Sequence, residues 1–498
     1  LTACYDDKGS YDYHDICEVN IEGLESVYET VYRESVLEID PTVTVTEGNI
    51  GDTTRFAYEW RANVPYNSTE LIGTERILNY RVELAPRDYT LYFRVTDRQT
   101  GVVTVATSTL KVGTAYSKGI LLIGENTQGE VDVQMLSMVK DTVLYKELLK
   151  NSGLPVLKNP VDIIHTGAAG NSNYIKLWVL TGSQAYSMDR KTFAGSESDV
   201  FSKLLFMDQT FDTEFVPVDI IPRVKDKSGK NGGSSYCRTV VCNNGYIFNA
   251  STLLMGGDYY NNPVNCLTSD QNTYYKAFPY LFYTLNSYSG GFLWFDVENR
   301  RFLTVKNSIA VSDLLEDQAG DPFPWNQGTT GRTLVYGENT LDVGSSNGNS
   351  FAILKDPAGT YYLYKFRAVG SGPTKLNCYT IGAGAVDFDK ADFYAFSSRR
   401  TVVYYAVGST LHAYDYNKGN ERHYTFDMGD QITMLYCDTA IEPNENPLYV
   451  ATYNATTGGK LQKYIQGVNP DKVELEADEK SCWEGLMKIK KMGWRAVE

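Results

Sequence analysis

Apolar and polar residues alternate with a period of two through much of the first hundred residues. The clearest run is Tyr89-Thr90-Leu91-Tyr92-Phe93-Arg94-Val95. Successive side chains of a strand point to opposite faces, so this run predicts a strand with one face against a core. The same pattern predicts about seven short strands over residues 14–113, including 27–31, 35–39, 54–60, 76–84, 89–97 and 102–112. Turn material separates them: Gly48-Asn49-Ile50-Gly51, Pro86-Arg87-Asp88 and Arg98-Gln99-Thr100-Gly101. Short strands at this spacing predict an immunoglobulin-like sandwich.

From residue 119 onward the pattern changes. Short apolar runs come in pairs, each pair joined or bordered by a glycine turn. Seven such hairpins centre on Gly129, Gly182, Gly245, Gly290, Gly359, Gly408 and Gly458, which lie 45–69 residues apart. Propeller blades use about 40–50 residues each, and loops stretch that spacing. The series predicts a β-propeller of about seven blades, with each hairpin in the middle of a blade. The last stretch alternates Met487 and Ile489 with Lys488 and Lys490 and ends in Trp494 and Val497. It is expected to close the ring by pairing in the blade of the 119–132 hairpin. A surface helix is the alternative for that stretch. Two helical interruptions are expected at 141–151 and 196–205.

Composition narrows the function. The chain has 498 residues, enough for two or more domains, and 42% hydrophobic against 21% charged residues excludes wholesale disorder. Acidic residues (61) outnumber basic ones (46), so the surface repels phosphate backbones and nucleic acid is not an expected partner. No apolar run is long enough to span a bilayer as a helix. His14, His165, His412 and His423 form no zinc motif. Eight widely spaced cysteines form neither a disulfide framework nor a zinc pattern, and Cys237 and Cys242 point to opposite faces of one apparent strand.

Other sequence patterns have ordinary readings. Gly344-Ser345-Ser346-Asn347-Gly348 matches a nucleophile elbow, but a strand rather than a helix is expected after it. Asp313, Asp317 and Asp321 beside Glu316 lack the EF-hand order, and a solvated acidic turn is expected. The glycine stretches 167–170 and 229–233 lack the Lys-Ser/Thr of a phosphate loop. Residues 225–235 are expected to form an exposed flexible loop. No metal, cofactor or catalytic set is expected. The candidate ligand contacts are loop aromatics: Tyr259 and Tyr260, Tyr274 and Tyr275, and Phe323 with Trp325. Flat rings stack on sugar faces or peptide side chains.

Leu1-Thr2-Ala3-Cys4 resembles a bacterial lipobox, with the polar tether Tyr5-Asp6-Asp7-Lys8-Gly9-Ser10 directly behind it. The resemblance implies lipidation of Cys4, removal of a signal peptide and an outer-membrane anchor. The acidic Asp6-Asp7 is similar to the export signal of surface lipoproteins in gut anaerobes. Tyr58-Glu59-Trp60, Asp88-Tyr89-Thr90-Leu91, Phe93-Arg94-Val95-Thr96-Asp97 and Gly101 resemble PKD-like domains. That likeness implies Trp60 in the core, and a penultimate strand with its turn formed around Tyr89, Val95 and Asp97. The Trp-Asp-Phe-Gly-Asp-Gly stretch of typical members is absent.

The whole layout resembles the PKD-like surface lipoproteins associated with SusCD-type outer-membrane importers. The resemblance implies a non-catalytic accessory or binding subunit facing the cell exterior. Its partners would be the importer subunits, other surface lipoproteins and a glycan or peptide, and it would meet the membrane through its lipid alone. A propeller-based polysaccharide hydrolase or lyase and a structural or adhesive surface protein are the alternatives. The chain divides into a lipobox remnant and tether (1–13), a sandwich (14–113), a linker (114–118) and a propeller (119–498).

Overall fold

The computed structural model describes residues 17–139, 141–166, 176–230, 236–255, 259–285, 289–340 and 348–497. Cys4 with its tether, the 167–170 stretch and residues 344–347 of the elbow-like motif lie outside the described residues. So do residues 231–235 of the expected flexible loop. The chain forms two compact units, Leu1–Ala115 with Glu498, and Tyr116–Val497.

The first unit is a β-sandwich with nine strands among the described residues. Its five-stranded sheet orders Val27–Val31, Val103–Gly113, Arg87–Asp97, Phe56–Val64 and Ser68–Gly73. Val19–Glu22 pairs with Thr42–Val45, and Val36–Ile39 with Leu78–Arg81. Alternation dictates the core: Tyr89, Leu91, Phe93 and Val95 point inward and are buried, while the residues between them are half-buried. Trp60 is buried, stacks on Phe93 at 4.3 Å and donates its indole N–H to the Glu75 carbonyl at 2.9 Å. The Tyr89 hydroxyl donates to the Ala85 carbonyl at 2.7 Å, a tyrosine corner that fixes the entry to its strand. Asp97 is buried but paired, accepting from Arg55 and from the Gln99 N–H.

The second unit is a seven-bladed propeller. Among the described residues, seven sheets follow one another along the chain, from the blade of Lys118–Glu125 to the blade of Leu448–Asn454. Lys488–Ala496 returns to pair antiparallel with Lys118–Glu125, and Ile120 lies opposite Trp494. The innermost strand of the first blade thus comes from the end of the chain, and the ring has no open seam.

Seven apolar clusters, one between each pair of neighbouring blades, hold the ring together. Along Val402–Val407, Val402 and Tyr404 enter the cluster shared with the seventh blade, and Val403 and Tyr405 the cluster shared with the fifth. Ile120 and Leu122 divide from Leu121 and Ile123 in the same way. Both faces of a blade's middle strands are buried, which explains why they read as continuous apolar runs.

Neither expected helix forms. Within 141–151, Val143–Tyr145 is an edge strand paired with Met135, Leu136 and Ser137. Glu147 then takes φ +54°, and its N–H binds the Asp132 carboxylate at 3.0 Å. The edge of the first blade offers ladder partners that outweigh helix propensity. Within 196–205 only the 3-10 turn Phe201–Leu204 appears, because Phe201 is drawn into the cluster between the second and third blades. Lys375 binds Asp317 at 2.6 Å and Asp321 at 2.5 Å, so the acidic turn is closed by an ammonium group. The seven described cysteines are free thiols.

Candidate functional site

The innermost strands leave an axial chamber of about 360 Å³ lined from all seven blades. Lys491–Trp494 contribute from the first blade, Asp162–His165 from the second, and Asp219 and Arg223 from the third. Tyr280 and Tyr283 belong to the fourth blade, Tyr336–Asn339 to the fifth, Ala395 to the sixth and Tyr436 to the seventh. Gly337 admits the fourth blade's rings: a Cβ there would lie 2.6 Å from Tyr280 and 2.7 Å from Phe282.

Two polar groups dominate the lining. Arg223 reaches Asp162 at 2.6 Å and Asp219 at 2.7 Å. Burial opposes its charge, but the two carboxylates outweigh burial and hold the guanidinium well above its ordinary value. The two aspartates occupy matching places in consecutive blades. The pentapeptide Pro-Val-Asp-Ile-Ile occurs at 160–164 and again at 217–221, and each copy carries a register shift between its Pro and its Asp. That repeat is the sequence signal that could have located the site, and it escaped a search for hairpins.

The second group centres on Glu338, which burial raises to about 8 against the opposing pull of the Phe396 N–H, Tyr336 and Lys491. The Tyr336 oxygen is 2.9 Å from both Glu338 Oε2 and the Tyr394 carbonyl. A phenol has one proton and a carbonyl can only accept. The Tyr336 hydroxyl is therefore shared between two acceptors, the Glu338 carboxyl and the Tyr394 carbonyl. Around this pair, Tyr280 accepts the Asn339 N–H at 2.8 Å and Tyr283 accepts the Arg223 N–H at 3.1 Å. Burial pushes the phenols of Tyr280, Tyr283, Tyr336 and Tyr436 up, so all four stay protonated at neutral pH.

The loop aromatics expected to hold ligand do not form one platform. Tyr260 is fully buried in the cluster between the second and third blades. Phe323 and Trp325 are buried between the fourth and fifth, where Phe323 stacks on Tyr364 at 4.1 Å. These three are packing residues, because rings of that size between two sheets fill the gap the blades leave. Tyr274 is half-buried and donates to Gln209 at 3.1 Å. Tyr275 is half-buried beneath the Arg301 guanidinium at 4.9 Å. Tyr259 is exposed, edge-on to the exposed Phe206. Among the described histidines, His412 and His423 hydrogen-bond each other at 2.9 Å on the sixth blade.

Residues 4–159 match the PKD-like family. No curated protein matches the sequence. Among solved structures, a quinonprotein alcohol dehydrogenase-like protein from Bacteroides thetaiotaomicron is similar at 12% identity and TM-score 0.36, over 96% of this chain and 99% of that one. The extracellular domain of a one-component system from the same organism is similar at 10% identity and TM-score 0.33, over 94% of this chain and 70% of that one. YCF48 from Cyanidioschyzon merolae is similar at 8% identity and TM-score 0.32, over 67% of this chain and 92% of that one. At such identities and scores, neither ligand nor reaction passes to this chain.

Proposed function

We propose that the chain is a non-catalytic, lipid-anchored protein of the outer cell surface. It serves as an accessory or binding subunit of a SusCD-type, TonB-dependent importer of glycan or peptide. The lipobox-like Leu1–Cys4, the PKD-like unit and the propeller layout support this reading. The observation that carries it is the chamber lining. Arg223 closes on Asp162 and Asp219 and the phenols keep their protons, which suits holding hydroxyl or amide groups better than attacking a bond. Affinity purification from detergent-solubilised outer membrane tests the reading. A SusCD-type channel pair is expected to co-purify, and Cys4→Ala is expected to move the protein to the soluble fraction. Recovery of the anchored protein without any channel refutes the importer role, and membrane retention of Cys4→Ala refutes the lipid anchor.

One observation favours a second reading. Glu338 is a protonated acid in the same chamber as the salt-bridged Asp162 and Asp219, and an acid beside a carboxylate is the equipment of a polysaccharide hydrolase or lyase. Turnover of a polysaccharide by purified protein, abolished by Glu338→Gln, would establish that reading. No turnover on a broad polysaccharide panel would exclude it for those substrates.

A further inference from the structure

Three cationic or imidazole side chains are buried at one rim of the ring with nitrogens that lack a hydrogen-bond partner, although the Arg495 guanidinium lies over the Phe193 ring at 5.0 Å. Arg495 is 0% exposed, and its Nε, Nη1 and Nη2 all lack a hydrogen-bond acceptor. Arg238 is 1% exposed; its Nη1 donates to the Cys237 carbonyl, while its Nε and Nη2 have no acceptor. His165 is 4% exposed, with both ring nitrogens unpaired.

Topology gathers them. His165 ends the innermost strand of the second blade, Pro160–His165, and Arg495 stands one residue from the end of the first blade's innermost strand, Lys488–Ala496. Arg238 is the second residue of Cys237–Cys242, which runs antiparallel to the third blade's innermost strand, so it lies at the same end. Arg190 follows the second blade's third strand, Ala185–Met188, and comes to that end too. Burial, then the charges of Arg495, Arg190 and Arg238, keep His165 neutral.

Among the described residues, negative charge is scarce there. Asp189 is the carboxylate acting on Arg495, and its Oδ1 already accepts from the Lys191 and Thr192 N–H groups and the Thr192 hydroxyl. Residues 167–175 and 231–235, the chain neighbours of His165 and Arg238, contain no Asp or Glu, while Asp258 and Glu498, which follow Ile247–Ser251 and Arg495 in the chain, lie outside the described residues. A buried guanidinium with unpaired N–H groups is strongly unfavourable. The unpaired N–H groups of both arginines and of the neutral imidazole find no acceptor among the described residues.

We propose that Arg495, Arg238 and His165 bind a small tetrahedral oxyanion, phosphate or sulfate, at the rim shared by the first three blades. Planar guanidinium forks match such oxygens in pairs. The depth of the site selects a free ion over a group on a polymer. The site is independent of the importer reading.

The test uses the full chain in chloride buffer, titrated with sodium phosphate or sodium sulfate at constant ionic strength. Binding is read by calorimetry and by melting temperature. The wild type is expected to bind and to gain melting temperature over the chloride control. Arg495→Gln and Arg238→Gln are each expected to bind about 10- to 100-fold more weakly, and Lys150→Gln, an exposed control, to bind as wild type. Absence of binding by the wild type, or unchanged binding in a folded Arg495→Gln, overturns the proposal. If neither arginine variant folds, wild-type crystals soaked in selenate decide. An anomalous peak within hydrogen-bonding distance of Arg495 and Arg238 supports the site, and no peak there overturns it.

Discussion

Replacing Glu338 by Gln should remove a pH dependence that this one carboxyl builds into the propeller. The ordinary value of the group is 4.5, and burial raises it to about 8 in the folded chain. Below 4.5 the carboxyl is protonated in both states and does not oppose folding. Between 4.5 and about 8 the unfolded chain loses the proton while the folded chain keeps it, so stability falls as pH rises. At 1.36 kcal/mol per unit, the full loss is about 5 kcal/mol, of which about 4 kcal/mol accrues between pH 5 and 8.5. Glu338 borders the water-accessible chamber, so screening leaves roughly half of that, about 2 kcal/mol. Gln preserves the geometry: its amide N–H donates to Tyr336 and its oxygen accepts from Phe396. Urea midpoints of wild type and Glu338→Gln, measured from pH 5 to 8.5, provide the assay. The two curves should lie close at pH 5, with the wild type falling progressively below the variant at higher pH. Parallel curves, or a variant that loses as much at pH 8.5 as at pH 5, would refute the neutral, buried acid.

Three further outcomes are expected. Arg223→Met strands Asp162 and Asp219 and should cost about 3–5 kcal/mol in urea unfolding, partly recovered by adding Asp162→Asn; equal stability of Arg223→Met and wild type contradicts the pairing. Deleting residues 487–498 uncovers the edge of Lys118–Glu125 and removes Ile489 and Met492 from the closing cluster, so the propeller's cooperative melting should vanish, and an unchanged melting temperature would disprove closure. In the sandwich, the Arg55 hydrogen bond holds Asp97 below its ordinary value of 3.8. That stabilisation is present above 3.8 and lost as pH falls, so Asp97→Asn should flatten the acid limb of the melting profile; superimposable acid limbs would count against it.

The sequence by itself determined the kind and the number of units. Period-two alternation in residues 89–95 specifies a strand with one buried face, and the paired apolar runs around glycine turns specify blades whose middle strands are buried on both faces. Even the closing strand was legible, since Met487 and Ile489 alternate with lysines and an open propeller edge demands a partner. Residues 141–151 show the limit of local reading: their helix propensity is real, but a vacant ladder position in the first blade outweighs it. The chamber was invisible for a related reason. Asp162 and Asp219 are 57 residues apart and Glu338 lies farther still, and they converge because the ring turns each innermost strand toward one axis. Tyr260, Phe323 and Trp325 look in sequence like any exposed aromatic, and the packing of adjacent sheets decided that they are core. Arg238, Arg495 and His165 read singly as surface polar residues. Tertiary structure alone placed them at one rim, because the direction of a strand fixes which of its ends meets the neighbouring blades.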